Sequence, residues 1–390
     1  MNALLFFLLF NLASIGQVVS DLYLPALPAI SQALHTSTHT IQLTLSFYFA
    51  GFALSHFFYG PTSDHFGRKP PLIIGLTLCC ISCLACALSQ TAPYFLACRL
   101  LQGLGAGAAA ALYRSILRDL YSGQSLAVLS SYIGVGRVFL LALAPLIGAY
   151  IHMHCGWPTL FIVLAVYACI CLVLTTTILT ETRPRQSSPF LYRKVLKHTG
   201  QLIQHRAFMG YTLTVMLAFS CIVAWLATIP LLLQQQLGLS AIQFGWVAAV
   251  SGGFFIVGGV INALLLPRYG IQYLLYAGIG LCILAGLLML CLSLCVPMST
   301  AVITLPIIVF IIGSSAIFPN AYTGAFEPFP HIAGTASAIF GAIQMLGGVV
   351  GSAIMSFTNS QYQTPLAITL ICLSVIMLIL IKTMTSSHNA

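Results

Sequence analysis

Charged residues are scarce in this chain of 390 residues. Only 5% of the positions are charged, 14 of them Lys or Arg and 5 Asp or Glu, whereas 59% are hydrophobic and the mean hydropathy is +1.03. An ordinary soluble domain has about a quarter of its residues charged. This composition therefore excludes a large soluble domain and is typical of a protein that is solvated by a lipid bilayer.

The lack of acidic residues and of several motifs argues against an enzyme. Five acids, most of them in loops, leave no paired carboxylates for general acid–base catalysis. Gly-x-Ser-x-Gly, His-Glu-x-x-His and a phosphate-binding Walker loop are absent as well. We therefore expect no enzymatic activity, no cofactor and no use of ATP.

Cysteine and histidine are present but are not arranged as metal ligands. Most of the 13 cysteines lie inside apolar runs, where cysteine acts as a small hydrophobic residue. The pair His152 and His154 has metal-like spacing, but no carboxylate or second pair accompanies it. We expect no metal site.

Long apolar runs fill nearly the whole chain. A membrane-spanning helix needs about 20 predominantly apolar residues. About twelve runs qualify: 4–29, 42–63, 71–90, 93–117, 126–150, 158–180, 207–233, 242–265, 271–293, 299–325, 332–356 and 364–382. The sequence therefore predicts an all-α polytopic membrane protein with about twelve transmembrane helices.

Basic residues occupy alternate gaps between these runs. Those in the gaps, or in the last residues of a run that borders such a gap, are Arg68, Lys69, Arg114, Arg118, Arg183, Arg185, Arg193, Lys194, Lys197, Arg206, Arg268 and Lys382. The positive-inside rule assigns their side of the membrane to the cytoplasm, and an even number of spans puts both termini there. The pI near 9.0 then reflects loops that face anionic lipid, and we reject nucleic-acid binding.

The chain divides near its middle. Residues 181–206 form the longest polar stretch and predict a cytoplasmic linker between an N-terminal bundle (1–180) and a C-terminal bundle (207–390), each with six helices. A weak internal repeat supports this division: Asp64-His65-Phe66-Gly67 aligns with Pro267-Arg268-Tyr269-Gly270. Likewise, Ala144-Pro145-Leu146-Ile147-Gly148 aligns with Gly347-Gly348-Val349-Val350-Gly351.

The loop Gly60-Pro61-Thr62-Ser63-Asp64-His65-Phe66-Gly67-Arg68-Lys69 follows the second span. It resembles the GxxxDRxGRR signature of the major facilitator superfamily, with His65 where that family has Arg. The resemblance implies two six-helix bundles and a conformational latch formed by Gly60, Asp64, Gly67, Arg68, Lys69, Arg114 and Arg118. We expect Asp64 to lie near Gly334 and Thr335 or near Arg114 or Arg118.

Further motifs resemble one subfamily, the Bcr/CflA bicyclomycin- and chloramphenicol-resistance antiporters. They are the runs 21–28, 99–103 and 327–338, together with the fifth-span antiporter motif that contains Pro145 and Gly148. The resemblance implies a monomeric drug:proton antiporter of the bacterial inner membrane. Its partners would be small amphipathic drug-like substrates, protons and membrane lipid, and the proton gradient would drive it by alternating access.

Asp21 and Arg99 are charged residues inside apolar runs. A charged side chain in the hydrocarbon region is energetically costly, so its presence there usually indicates a functional role. The first span runs outward and the fourth runs inward, so the two residues lie at a similar depth. A carboxyl group that is partly desolvated beside a guanidinium can change its protonation state when the cavity opens to a different side. We predict that Asp21 and Arg99 couple transport to protons; a static ion pair, or an Asp cap ahead of Pro25, is the alternative.

Arg137 lies in the fifth span without an obvious acidic partner. It can snorkel, reach a carbonyl group, share Asp21 or bind a substrate anion. The candidates that line a substrate cavity are Tyr23, Tyr48, Gln102, Arg137, Trp225, Asn320 and Gln344.

Two functions remain open at this stage. The first is proton-coupled multidrug efflux, which the subfamily motifs and the intramembrane Asp21 favour. The second is uptake or export of a specific small metabolite or siderophore by the same fold, and Arg99 and Arg137 would suit an anionic one. Drug accumulation in cells with and without the protein distinguishes them.

Overall fold

The computed structural model describes residues 3–182, 192–329, 332–358 and 361–385. Within these ranges the regular structure is entirely helical. The helices are α1 (Ala3–Asp21), α2 (Leu27–Ala33), α3 (Thr38–Phe66), α4 (Lys69–Ala87), α5 (Ala92–Leu120), α6 (Gly123–Cys155), α7 (Trp157–Thr177), α8 (Tyr192–Gln204), α9 (Arg206–Pro230), α10 (Ala241–Cys295), α11 (Thr300–Phe326), α12 (Ala333–Ser356) and α13 (Thr364–Thr385). A 3₁₀ turn at Leu24–Ala26 joins α1 to α2, and a π-helical turn at Leu231–Gln236 extends α9.

Eleven helical segments in the described residues are long and apolar enough to cross a membrane. One of them, α10, has 55 residues and is about 80 Å long at 1.5 Å per residue, whereas a bilayer core is about 30 Å thick. Gly270 interrupts α10 with a φ of 76°, so α10 supplies the eighth and ninth spans. The prediction of about twelve spans is confirmed, but a sharp bend replaces the gap expected between the eighth and ninth.

The predicted linker 181–206 is only partly described, because residues 183–191 lie outside the described ranges. Its second part was expected to be a polar connection and instead forms the helix α8. This helix packs against α9 and α12 in the second half of the chain. The exact boundaries of the two bundles stay a prediction.

Contacts between the two halves follow a two-fold pattern. The second span, α3, packs against the eleventh, α12, and the fifth span, α6, packs against the eighth, in α10. In two related six-helix halves, the second span corresponds to the eighth and the fifth to the eleventh. The contact between the second and eleventh spans therefore corresponds to the contact between the eighth and fifth. Two six-helix bundles related by an axis along the membrane normal produce this arrangement.

The internal repeat is also visible in the backbone. Gly67 and Gly270 both have positive φ, 92° and 76°, where a residue with a Cβ would be strained. Gly148 of α6 lies so close to Leu22 that a Cβ there would overlap its carbonyl oxygen, and Gly351 of α12 lies in the same way on Ser220 of α9. Equivalent positions of the two halves therefore carry the same turn and the same close helix contact.

The basic ends of the helices gather at one end of the bundle. The side chain of Arg68, beside the start of α4, reaches Asp119 at the end of α5, with 3.0 Å between Nε and Oδ2. Lys69 donates from Nζ to the carbonyl oxygen of Thr176, near the end of α7, at 2.8 Å. We call this end of the molecule the basic end and the opposite end the far end.

Candidate functional site

A cavity of about 1560 Å³ lies between the two halves. Helices α1, α3, α5 and α6 line it on one side, and α9, α10, α11 and α12 line it on the other. It extends from Asp21 and Leu24 to Asp64, Arg118 and Gly334 at the basic end. Its volume exceeds that of a typical drug-sized pocket, about 300–1,000 Å³, so it can hold a small organic molecule.

Hydrogen bonds between the halves close the far end. Ser352 of α12 donates to the carbonyl oxygen of Gln42 in α3 at 2.6 Å, and the Gln42 amide donates to the carbonyl oxygen of Ala227 at 3.3 Å. One turn deeper, Ser46 donates to the carbonyl oxygen of Val349 at 3.2 Å. The cavity is therefore open towards the basic end and closed at the far end.

Gln234 adds a fourth bond to this closure, since its amide donates to the carbonyl oxygen of Pro25 at 3.0 Å. None of the closing side chains was singled out from the sequence. The signal that could have found them is small polar residues in the outer thirds of apolar runs. That signal is weak, because most such residues bond within their own helix, as Ser14 and Ser82 do.

Asp21 lies at the end of the cavity beneath the far-end closure. Helix α1 ends at this residue and the chain turns through Leu24–Ala26, where Pro25 removes a backbone donor. The residue is 4% exposed, and its carboxyl group accepts a hydrogen bond of 2.5 Å from Ser20. The break in α1 thus places the one acidic residue predicted within a span on the cavity wall.

Arg99 is fully buried at the same depth, as predicted, but it does not form an ion pair with Asp21. Its guanidinium lies between the rings of Tyr23 and Tyr48, at 4.2 and 4.5 Å from their centroids. It donates to the carbonyl oxygen of Val19 at 3.4 Å. Among the described residues no carboxylate lies within 4 Å of it. Two tyrosine faces therefore hold this cation where a carboxylate was expected.

Three of the predicted cavity residues surround Arg99 and do not line the cavity. Gln102 accepts a hydrogen bond from Arg99, the Tyr48 hydroxyl donates to the carbonyl oxygen of Gly16 at 2.6 Å, and the Tyr23 hydroxyl bonds to Thr44. These side chains were misplaced because the spans are apolar on all sides. Hydropathy then does not reveal which face of a helix meets the cavity.

The candidates in the second half divide in the same way. Trp225 and Gln344 line the cavity as predicted. Asn320 is buried behind the wall, and its amide donates at 2.8 Å to the side chain of Asn262, which lines the cavity instead. Phe255, also on the wall, packs against Phe318 with 6.2 Å between ring centroids.

Arg137 lines the cavity and points towards α5. It donates to the Tyr113 hydroxyl at 3.5 Å, and Arg114 donates to the same oxygen at 2.8 Å. Two guanidinium groups thus meet at one tyrosine hydroxyl. Arg137 does not share Asp21: Gly136 lies against Phe10, eleven residues before Asp21 on α1, which corresponds to about 16 Å along the helix.

The loop after the second span is organised around Arg68. This side chain is 7% exposed and bonds to Asp64 at 2.8 Å, to Asp119 at 3.0 Å and to Ser63 at 2.7 Å. Asp64 faces the mouth of the cavity, whose lining also includes Arg114, Arg118, Gly334 and Thr335. Asp64 pairs with Arg68 in this conformation, and the predicted contact across the mouth stays a prediction.

Glu181 also belongs to this loop, although the sequence did not assign it a role. Its carboxylate accepts from the backbone N–H groups of Arg68 and Lys69 at 2.7 and 3.1 Å. It therefore caps the positive end of α4 from the end of the N-terminal bundle. No group of three or more His, Cys, Asp or Glu is placed to hold a metal ion in the described part of the chain.

Two bundles around a cavity that is open at one end define a multi-pass membrane protein of the transporter class. A family model described as Major Facilitator Superfamily matches residues 5–352. The chain belongs to the Major Facilitator Superfamily, and it is a transporter of that family.

Individual proteins support the same assignment. The chain is 32% identical over 365 residues to the "Uncharacterized MFS-type transporter YdgK" of Bacillus subtilis (strain 168), covering 91% of this chain and 89% of that protein. It is 28% identical over 357 residues to "Multidrug resistance protein D" of Escherichia coli (strain K12), covering 90% and 88%. The crystal structure of a D-xylose-proton symporter has the same fold, with a TM-score of 0.78, 16% identity and 96% coverage of both chains. The resemblance noted in the sequence is confirmed.

Proposed function

We propose that this transporter exports small amphipathic, drug-like compounds in exchange for protons. The observation that carries the proposal is the position of Asp21. This carboxyl group is the one acid within a predicted span, and it lies on the cavity wall directly beneath the closed far end. A group in that place meets water from one side or the other according to which end is open. The name of the relative Multidrug resistance protein D supports drug-like substrates.

The conformation with an open basic end is the one that loads substrate from the cytoplasm. Substrate enters past Asp64 and Gly334 and lies against the aromatic wall that includes Trp225 and Phe255. Rocking of one bundle against the other then breaks the far-end bonds of Gln42 and closes the basic end. Asp21 takes up a proton from outside and releases it inward as the cycle returns.

The orientation and the energy source belong to the same proposal. The basic end faces the cytoplasm of a bacterium, both termini lie on that side of the inner membrane, and the division into residues 1–180 and 207–390 gives the two moving bodies. The protein works as a monomer without a cofactor, because the proton gradient supplies the energy. In the conformation open at the far end, Asp64 contacts the start of α12 or Arg114 or Arg118.

Transport in vesicles with Asp21 variants tests the coupling. Asp21→Asn removes the exchangeable proton but keeps the size and polarity of the side chain. We expect this variant to bind an amphipathic dye in detergent with wild-type affinity and to lose pH-gradient-driven transport in vesicles. Asp21→Glu, which can still be protonated, should keep part of the transport. Wild-type transport by Asp21→Asn would show that the protons use another group. His56, which also lines the cavity, and Glu327, at the end of α11, would be tested next.

The direction of transport needs a separate measurement in cells. We expect cells that make the protein to accumulate less of several fluorescent amphipathic dyes than cells that lack it. Equal accumulation across a broad panel would favour uptake or export of one specific metabolite instead.

A further inference from the structure

The cavity wall contains a group of cations that the proposed proton exchange does not use. We call Tyr113, Arg114, Arg137 and Tyr322 the arginine cluster. It lies nearer the basic end than Asp21, because α6 places Arg137 eleven residues before Gly148, and Gly148 contacts Leu22. At 1.5 Å per residue the two sites are about 16 Å apart along the helices.

The geometry of the cluster concentrates positive charge. The guanidinium groups of Arg114 and Arg137 both donate to the hydroxyl oxygen of Tyr113, at 2.8 and 3.5 Å. The oxygen that the two cations share belongs to a tyrosine hydroxyl and not to a carboxylate. In the described ranges, no carboxylate lies within 4 Å of either arginine.

The other acids of the cavity wall are engaged elsewhere. Asp64 and Asp119 both pair with Arg68 in the loop at the mouth. Asp21 lies at the far side of the cavity, against Ser20. The arginine cluster therefore has an excess of positive charge beside a space that can admit a ligand.

The second half of the molecule supplies the apolar side of the same place. Tyr322 of α11 lies under the guanidinium of Arg114, 5.5 Å from it to the ring centroid. Phe340 of α12 packs edge-on against Tyr322 at 5.4 Å, and both rings line the cavity. A ligand at this place would touch cations of the first bundle and aromatic rings of the second.

We infer that the arginine cluster binds the anionic head of an amphipathic organic anion, such as an aromatic carboxylate or sulfonate, whose apolar body lies on the Tyr322 side. Arginine suits this task because its planar fork gives two parallel hydrogen bonds to such a group. An organic cation at the same position would meet two like charges. The inference deepens the proposed function by naming a substrate class, and it rests on that function only for the transport step.

A matched pair of dyes tests the binding. The dye 8-anilinonaphthalene-1-sulfonate carries a sulfonate, and N-phenyl-1-naphthylamine has the same rings without it. Binding to purified full-length protein in detergent is followed by quenching of tryptophan fluorescence, to which Trp225 on the cavity wall contributes, with protein-free micelles as the background. The variants are Arg137→Gln and Arg137→Lys. Arg268→Gln, at an exposed arginine outside the cavity lining, is the matched control.

We expect Arg137→Gln to bind the sulfonate dye at least about tenfold more weakly, because it loses a hydrogen bond to a charged group. Its affinity for the neutral dye should not change. Arg137→Lys should recover part of the loss, and Arg268→Gln should match the wild type. An equal loss for both dyes would show that Arg137 is structural. An unchanged affinity for the sulfonate dye, or a wild-type protein that does not bind it, would also overturn the inference.

A lipid headgroup offers the same chemistry, so the source of the anion needs its own measurement. Wild-type protein in vesicles with a pH gradient should move the sulfonate dye, and Arg137→Gln should move it more slowly. A dye that binds and is displaced by phosphatidylglycerol, but is not moved, would assign the cluster to lipid and overturn the substrate class. Dye binding in detergent does not depend on a proton gradient. If the protein binds the sulfonate dye through Arg137 but shows no proton-coupled transport, the proposed exchange is wrong and the proposed anion site is still supported.

Discussion

The far-end closure can be weakened without changing the cavity. Ser46 and Ser352 each donate one hydrogen bond from a side chain to a carbonyl oxygen of the other half, at 3.2 and 2.6 Å. In membrane proteins such a bond contributes on average about 0.6 kcal/mol. The double variant Ser46→Ala/Ser352→Ala should therefore favour opening of the far end by about 1 kcal/mol, which corresponds to roughly a five- to tenfold shift in the equilibrium.

Hydrogen–deuterium exchange of the purified protein measures this opening. Amides in 38–50 and 346–356 should exchange about five- to tenfold faster in the double variant, because exchange follows the population of the open form. The control is Ser14→Ala/Ser82→Ala, which removes two buried hydroxyls that bond only within their own helices. Equal exchange in both double variants would refute the reasoning that these bonds hold the far end shut.

Gln42 provides an internal check on the same argument. Its side chain makes one bond across the closure, but its amide oxygen is buried without a partner in the described ranges. A buried unpaired acceptor costs about 1–3 kcal/mol, which offsets the bond. Gln42→Leu should therefore shift the exchange less than Ser352→Ala does.

Two further predictions concern glycines. Gly148→Val should greatly reduce the yield of folded protein, because the new side chain overlaps the carbonyl oxygen of Leu22. The control Gly253→Val, where a Cβ meets open space, should fold normally. Equal yields of the two variants would contradict the close contact at Gly148. Gly270→Ala should lower the thermal midpoint in detergent by a few degrees, since φ is 76° and the strain is about 1–2 kcal/mol. Gly253→Ala is its control, and an unchanged midpoint for Gly270→Ala would show that the bend adapts.

Much of the architecture can be predicted from the sequence, because the bilayer determines which segments of the chain must form spanning helices. Backbone groups in hydrocarbon must bond within their own helix, so each apolar run of about 20 residues has to span. Twelve spans, the basic end and the depth of Asp21 could be predicted for that reason. The glycines at 67 and 270 could be aligned as a repeat because each occupies a turn that a side chain would strain.

The rotation of each helix about its own axis could not be predicted from the sequence. The spans are apolar around their whole circumference, so no polar face marks the side that meets the cavity. Arg99 was therefore expected beside Asp21 and lies between two tyrosines instead, and Asn320 was expected on the wall that Asn262 occupies.

Contacts between distant spans depended on the tertiary structure alone. The bonds that close the far end join positions from 185 to 310 residues apart, such as Gln42 with Ala227 and Gln42 with Ser352. The meeting of Arg114 and Arg137 at Tyr113 depends on how α5 crosses α6. Hydropathy sets how deep a residue lies in the membrane. Which residues meet at a given depth is decided by the packing of one helix against another, because close contact between small residues and single hydrogen bonds determine helix association in lipid.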